Sequence, residues 1–280
     1  MSTFIQAIYA NNLALVQSLY DQGQMLTEEL YNIACHNEDA TMLNFLFEKE
    51  CPMHEEDIMY LPLVPSRLGK LNCLRYLIEQ QNYRLDGLFV CGAAQFNRID
   101  CVQYLLEKGC PTTSDDTSQD ACYYAVFINK NLDLLKLLHS YRAPLESSLC
   151  YYAAECGRVD ILQYLYENRC HMSEEAGKAA VKNKYTDCLL YFLQHFDNKQ
   201  DFIDKVIFGE FLCLKINLDN PDWRKILFHL NLDKQPTLQK RVNAKNLEIE
   251  KMQETCMNVL YTSNFVLPKE VIQSNIFDYF

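Results

Sequence analysis

The residue types that most often do chemistry in proteins are spread along this chain and form no recognisable motif. The sequence contains 13 cysteines and 6 histidines, residue types that ligate zinc and that form the nucleophile and base of thiol enzymes. Zinc and redox centres often use a Cys-x-x-Cys spacing, and no such pair occurs. The histidines lie mostly at predicted helix ends and turns, where an imidazole can meet exposed carbonyl groups. We therefore expect no metal and no cofactor.

Short enzyme motifs are also missing from the sequence. It has no Gly-x-Ser-x-Gly turn, no phosphate-binding glycine loop and no His-Glu-x-x-His helix. We expect a protein that is not an enzyme. The alternative that this argument leaves open is a catalytic centre built from residues far apart in the sequence.

The charge distribution restricts the class of partner. The formal net charge is −11, and residues 1–200 contain 16 Lys and Arg against 26 Asp and Glu, whereas residues 201–280 contain 10 against 11. Nucleic-acid binding depends on clustered cations, so we expect a basic or neutral protein partner and no nucleic acid. No apolar run approaches the roughly 20 residues of a membrane span. We expect a cytoplasmic protein in which the cysteines are small buried hydrophobic residues.

A block of 27 or more residues recurs along the first 196 positions and supplies the scaffold for these side chains. Each block has a leucine-rich segment with one anchor residue. The anchors, separated by 27, 31, 28, 33, 27 and 27 residues, are Leu19, Leu46, Leu77, Leu105, Leu138, Leu165 and Phe192. An aliphatic residue stands three positions before every anchor. The residue twelve positions before the anchor is alanine in five of the seven blocks: Ala7, Ala34, Pro65, Ala93, Val126, Ala153 and Ala180.

This spacing predicts two helices in each block. The apolar residues of the leucine-rich segment fall on one stripe of a second helix, and the alanine position lets first helices approach one another closely. One helix pair cannot bury its own stripe, so neighbouring pairs must stack. The sequence therefore predicts an all-α fold, a helical-repeat solenoid of about seven helix pairs over residues 1–196.

The blocks resemble ankyrin repeats, of the abbreviated kind common in amoebae, their giant viruses and intracellular bacteria. The resemblance is clearest in AAECGRVDILQYLYENRC at 153–170 and in AAQFNRIDCVQYLLEKGCP at 93–111. A Thr-Pro-Leu-His helix start is absent, and only the 33-residue spacing after Leu105 leaves room for a long loop. The resemblance implies a non-enzymatic protein that binds a protein target through its repeats.

Aromatic residues occupy two sets of positions along the repeats. One set stands directly before the anchors and contains Phe45, Tyr76, Tyr104, Tyr164 and Tyr191. The other consists of tyrosine pairs that open two first helices. Either the rings cover the seams between repeats, or they form a concave binding surface. Because the first helix lines the inner face of an ankyrin-like stack, the expected target contacts are Tyr123, Tyr124, Tyr151 and Tyr152, with Asp115 and Asp116 of the long loop.

The repeat register is lost after residue 196. Residues 197–236 keep helical spacing and are predicted to close the open end of the stack, and residues 237–280 to form a C-terminal helical segment. Residues 267–280 resemble the first helix of an F-box, and residues 248–252 resemble the segment before the shortened F-box of poxvirus-type ankyrin proteins, the PRANC region. The positions expected to contact an adaptor are Leu267, Pro268, Glu270, Val271, Ile272, Ile276, Phe277 and Phe280.

The two resemblances together imply a function. An F-box-like helix recruits the Skp-type adaptor of a cullin-RING ubiquitin ligase while the repeats hold a target, and the families resembled work in the cytoplasm of a host cell. We therefore expect an interaction adaptor of this kind. The alternative is that the C-terminal helix only caps the stack, in which case the chain is a scaffold that sequesters a host protein without ubiquitin chemistry.

Overall fold

The structure, a computed structural model, describes residues 3–53, 59–114, 120–183 and 185–198, together with Phe202, Leu247 and Lys251. Every regular element in these ranges is a helix. None of the described helices has the length and apolar character needed to cross a membrane. Asp115, Asp116 and residues 267–280 lie outside the described residues, so the sites proposed there stay predictions.

The helices follow the predicted blocks in consecutive pairs, which we number as repeats 1 to 6. The first helices are α1 (Thr3–Tyr9), α3 (Glu29–Ala34), α5 (Leu63–Leu68), α7 (Gly87–Gln95), α9 (Ala121–Tyr123, continued by a π-helical turn at Tyr124–Ile128) and α11 (Ser148–Glu155). The second helices are α2 (Leu13–Asp21), α4 (Thr41–Glu48), α6 (Leu71–Glu79), α8 (Ile99–Glu107), α10 (Leu132–Ser140) and α12 (Val159–Glu167). Helices α13 (Glu174–Lys182) and α14 (Thr186–His195) follow. The fold is an all-α helical-repeat solenoid, as the sequence predicts.

The chain divides into two compact units, residues 1–183 and residues 184–280. The first unit contains repeats 1 to 6 and α13. In the second unit, Phe192 of α14 stacks on Phe196 with ring centroids 4.5 Å apart, and Phe202 lies 4.8 Å from Phe192. The predicted boundaries at residues 196 and 236 stay predictions.

The core of the first unit consists of the residues that the repeat pattern selects. Leu46, Leu77 and Leu105 are among the anchors that have no solvent exposure, and Leu19, the most exposed anchor of this unit, retains 9%. The alanine positions are equally buried, from Ala7 in α1 to Ala180 in α13. Small residues on the first helices and leucines on the second helices therefore form the hydrophobic core of the repeats.

Five of the six repeats contain two tight turns in which one residue adopts the left-handed conformation, and repeat 2 contains one such turn. Gly23 and Gly109, four positions after their anchors, have φ of 89° and 82°. At the same turn position, Glu50, Arg142 and Arg169 also adopt positive φ. In five of the six repeats, the anchor carbonyl accepts a hydrogen bond from the N–H five residues later, as from Cys110 to Leu105 at 3.0 Å. This bond ends the second helix and directs the chain toward the next repeat.

A series of polar side chains joins the turns between first and second helices. In each junction, a side chain of one repeat donates to a backbone carbonyl of the preceding repeat. The donors and acceptors are Asn37 to Ile8, Asn72 to Glu38, Arg98 to Arg67, Asn129 to Ala94, and Cys156 to Phe127. These bonds connect the turns of consecutive repeats and align the repeats with one another.

The π-helical turn in repeat 5 changes the register that the sequence suggests. In repeats 4 and 6, the turn N–H bonds the carbonyl of the alanine position five residues back, as from Arg158 to Ala153 at 3.0 Å. In repeat 5, the Asn131 N–H reaches six residues back to Ala125 at 2.8 Å. A π-helical turn accommodates one extra residue. The alanine position of repeat 5 is therefore Ala125, and the sequence-based assignment to Val126 is wrong by one residue.

Candidate protein-binding surface

The aromatic residues before the anchors lie at the seams between repeats. Tyr104 of α8 is 5% exposed, and its hydroxyl donates to Glu79 Oε1 of the preceding repeat at 3.1 Å. The Tyr164 hydroxyl of α12 lies 2.8 Å from His139 Nδ1 of α10. Phe45 of α4 meets the Tyr20 ring of α2 edge to face, with centroids 5.9 Å apart. The first of the two interpretations, in which rings cover the seams, is therefore confirmed for these second-helix residues.

Positively charged side chains cover several of the seam rings. Arg75 and Lys108 lie 5.2 Å and 5.6 Å from the Tyr104 centroid, and Lys136 lies 5.7 Å from the Tyr164 centroid. A cation over a ring face is attracted by the ring quadrupole. The seam rings thus have their polar and electrostatic partners within the chain.

The tyrosine pairs of the first helices form a separate group that spans repeats 5 and 6. We call it the five-ring cluster, and it consists of Tyr123, Tyr124, Phe127, Tyr151 and Tyr152. Tyr152 is its centre, with centroid distances of 4.9 Å to Tyr123, 5.2 Å to Phe127 and 5.2 Å to Tyr151. All five residues are half-buried. The structure therefore brings together the four tyrosines that the sequence proposes as a binding site, and adds Phe127.

The corrected register explains why the two tyrosine pairs meet. With Ala125 in the alanine position, Cys122-Tyr123-Tyr124-Ala125 of α9 is equivalent to Cys150-Tyr151-Tyr152-Ala153 of α11. The cysteine and the alanine of each motif are buried. Equivalent positions on stacked first helices lie beside one another, so the tyrosines between them form a ladder. The repeated Cys-Tyr-Tyr-Ala motif is a sequence signal that could have revealed both the register and the site.

One carboxylate lies within the cluster and was not predicted from the sequence. Glu155 Oε1 accepts a hydrogen bond from the Tyr151 hydroxyl at 3.0 Å. Burial, followed by this hydrogen bond and the Glu155 charge, raises the pKa of Tyr151. Burial is also the main cause that raises the pKa of Tyr123, with a smaller contribution from Glu155. Both tyrosines are therefore neutral hydrogen-bond donors at neutral pH.

The start of the long loop is positioned against repeat 4. A Cβ atom added to Gly87, the first residue of α7, would lie 1.8 Å from the Thr113 carbonyl oxygen. Ser114 Oγ lies 3.3 Å from Asp86 Oδ1, whose carboxylate also caps α7 by accepting from the Leu88 N–H at 2.7 Å. The end of the loop is fixed by Asp120, which accepts from the Tyr123 N–H at 2.7 Å. Asp115 and Asp116, between these anchored ends, lie outside the described residues.

The cysteines have structural roles in the described part of the chain. Cys110 donates from its thiol to the Asp86 carbonyl at 3.0 Å, and Cys51 and Cys170 make the equivalent bonds to Thr27 and Glu146. Burial raises the pKa of Cys51 to about 11 and that of Cys110 to about 12. Such thiols stay protonated at neutral pH and are poor nucleophiles. Within the described ranges no group of His, Cys, Asp and Glu is arranged to hold a metal.

Comparison with known families agrees with this geometry. Residues 90–176 match the family model of ankyrin repeats, in three copies. These residues of the chain are ankyrin repeats. The matched segment begins in α7, ends in α13 and includes both tyrosine pairs. No curated protein matches the chain. Ankyrin repeats are protein–protein interaction modules, so the five-ring cluster lies on a scaffold of that class.

Proposed function

We propose that this chain is a non-enzymatic adaptor that holds a protein target on the five-ring cluster. The observation that supports this proposal is the contrast in how the tyrosines are used. The seam tyrosines have partners in the preceding repeat, whereas the five half-buried rings lie on first helices of adjacent ankyrin repeats. Tyrosine gives large contact area at low cost in side-chain entropy, and it is enriched among the residues that dominate binding energy.

The surroundings of the cluster favour the same proposal. Ile128, at the end of the π-helical turn, is 50% exposed beside Phe127. The long loop begins and ends on repeats 4 and 5, so Asp115 and Asp116 are proposed to reach the same target. We propose that the repeat region extends to residue 196 and that the protein acts in the cytoplasm.

Affinity capture from a eukaryotic lysate tests the binding proposal. The full chain serves as bait, in parallel with a Tyr151→Ala, Tyr152→Ala variant. A true target should be recovered with the wild type and be depleted at least about fivefold with the variant, because aromatic residues at interface centres commonly contribute about 2 kcal/mol or more. Tyr141→Ala is the matched control, because Tyr141 is 41% exposed but follows α10, outside the cluster. Equal recovery with all three baits would place the binding surface elsewhere.

The finer part of the proposal concerns residues 267–280. Their F-box-like pattern supports recruitment of a Skp-type adaptor of a cullin-RING ubiquitin ligase. Proline at the first turn favours helix initiation, and Glu270 suits the positive end of the helix dipole. The apolar residues Val271, Ile276 and Phe280 would then contact the adaptor. The competing function is a scaffold that sequesters its target, in which this helix only caps the stack.

A triple variant separates these two functions. Leu267→Ala, Pro268→Ala, Glu270→Ala should lose the Skp adaptor and cullin from the captured proteins, while the target and the melting temperature stay unchanged. If neither wild type nor variant captures an adaptor, and the variant melts at a lower temperature, the helix is a cap and the chain is a scaffold. A matched control is Lys269→Ala, which changes the same turn without altering the F-box-like positions.

A further inference from the structure

The seam between repeats 3 and 4 contains a complete site for a cationic side chain. The Tyr104 hydroxyl donates to Glu79 Oε1 at 3.1 Å, and Lys108 Nζ lies 2.8 Å from the same carboxylate oxygen. Lys108 is also 5.6 Å from the Tyr104 centroid, and the Arg75 guanidinium is 5.2 Å from it. One tyrosine and one glutamate together thus bind the charge of Lys108, with the ring attracting Arg75 as well.

The five-ring cluster contains the same tyrosine–glutamate pair. The Tyr151 hydroxyl donates to Glu155 Oε1 at 3.0 Å, which matches the Tyr104 to Glu79 distance. Among the described residues, no Lys or Arg forms an ion pair with Glu155, and none lies over a ring of the cluster. The cluster therefore has the acceptor groups of the seam site without its cation.

The charged groups around the cluster include both acids and cations, and Arg67, which influences the pKa of Tyr124, donates to Gln95 Oε1 at 3.1 Å. Glu175 lies close enough to Tyr151 to contribute to raising its pKa, and Lys178 of the same helix pairs with Glu174 and Glu175 at 3.1 Å each. Arg158 pairs with Asp160 at 2.5 Å and also donates to the Lys130 carbonyl. Lys130, which influences the pKa of Cys156, extends from the turn after the π-helix. None of these cations forms an ion pair with Glu155, so its charge is available to a partner.

We propose that the five-ring cluster binds a lysine or arginine side chain from a basic segment of the partner protein, with the cation over the Tyr151 and Tyr152 rings and paired to Glu155. This inference rests on the proposed function and specifies the chemistry of the target. The excess of acidic residues in residues 1–200 favours a basic segment, because long-range attraction accelerates encounter and opposes acidic competitors. Arginine suits the site best, since its planar group can stack on a ring while bonding a carboxylate.

A pair of synthetic peptides tests the cation site directly. The probe is a dye-labelled peptide of repeating Gly-Ser-Arg units, and its control replaces each arginine with citrulline, which has a similar shape and no charge. Fluorescence anisotropy with the full chain should give tighter binding to the arginine peptide. Glu155→Gln keeps an oxygen that can accept the Tyr151 hydrogen bond, and it should weaken arginine-peptide binding roughly fivefold or more, which corresponds to about 1 kcal/mol.

Glu167→Gln is the matched control, because Glu167 ends α12 of the same repeat and only accepts a bond from Gln163 Nε2 at 2.8 Å. This variant removes the same charge and should leave the affinity within about twofold, since an exposed glutamate outside a binding site contributes little. Equal weakening by both variants would mean that the peptide senses only net charge, and no weakening by either would mean that Glu155 is not a ligand. Both results overturn the inference.

Two further outcomes separate this inference from the proposed function. If the captured target is lost in the Tyr151→Ala, Tyr152→Ala variant but retained by Glu155→Gln, the proposed function stands and the cation site is wrong. If Glu155→Gln weakens the peptide while the tyrosine variant loses no target, the cation site stands and the proposed function fails. Sedimentation of the wild type tests the remaining occupant, because a dimer dissociated by Tyr152→Ala would mean that a second copy covers the cluster.

Discussion

Tyr104 and Tyr151 differ in environment although both are tyrosines that donate to a glutamate. Tyr104 is a second-helix residue whose ring is buried between repeats 3 and 4, with Glu79, Arg75 and Lys108 around it. Tyr151 is a first-helix residue whose ring is half-buried and whose glutamate is in its own helix. The difference teaches that a tyrosine stripe by itself does not identify a binding surface. What distinguishes a candidate site is a ring whose partners are incomplete.

Alanine substitutions of Tyr104 and Tyr151 should give the largest difference in free energy of unfolding between the two regions. Tyr104→Ala removes a buried ring and leaves Glu79 without its hydroxyl donor, so we expect a loss of about 3 kcal/mol in the free energy of unfolding. Tyr151→Ala removes a half-exposed ring, and a loss below about 1 kcal/mol is expected. Urea unfolding followed by circular dichroism measures both. Similar losses for the two variants would contradict the assignment of structural and binding roles.

Larger side chains at the closely packed alanine positions of α9 and α11 should have the next largest effect on stability. Ala153→Leu inserts extra volume at a position with no exposure, and overpacking of this kind costs roughly 1 to 3 kcal/mol. Because Ala125 is its equivalent in the corrected register, Ala125→Leu should cost a similar amount. Thermal melts of both variants measure the effect. A wild-type melting temperature for Ala125→Leu would contradict the register set by the π-helical turn.

The ionisation of Tyr104 at alkaline pH should have a smaller effect on stability than these substitutions. Burial, followed by the Glu79 hydrogen bond, raises the pKa of Tyr104 well above its usual value. The folded chain therefore holds this proton more tightly than the unfolded chain. The contribution of this proton to the free energy of unfolding is fully present below about pH 10. Above that pH it decreases, by up to about 1.4 kcal/mol per pH unit.

Tyr104→Phe tests this pH dependence, because phenylalanine has no proton to lose. Its free energy of unfolding should decrease less steeply than that of the wild type between about pH 9.5 and 11, although the variant is about 1 kcal/mol less stable at neutral pH. Urea unfolding at several pH values provides the comparison. Parallel curves for wild type and variant would show that Tyr104 ionises normally in the fold.

Sequence reasoning was most successful for the residues that repeat. The anchors from Leu19 to Leu165 and the alanine positions are buried because the same short-range pattern recurs in every block, and stacking gives each block the same neighbours. The sequence-based assignment of the alanine position in repeat 5 was wrong by one residue, at Val126. Counting backwards from an anchor assumes that every helix has the same number of residues per turn. A π-helical turn breaks that assumption, and the Cys-Tyr-Tyr-Ala motif in repeats 5 and 6 was the only local sign of it.

The sequence alone determined that this chain forms helix pairs, how often the pairs recur, and that tyrosines are frequent on them. The reason is that the spacing of apolar residues follows the periodic burial of helix faces. Only the tertiary structure decided which tyrosines are seam residues and which form a cluster. That decision depends on the neighbouring repeat, because Glu79 and Arg75 of repeat 3 contact Tyr104 of repeat 4. The role proposed for Glu155 also depends on tertiary structure. Tyr151 donates to its carboxylate, and the adjoining rings of Tyr123 and Tyr152 come from two repeats that are far apart in sequence and adjacent in space.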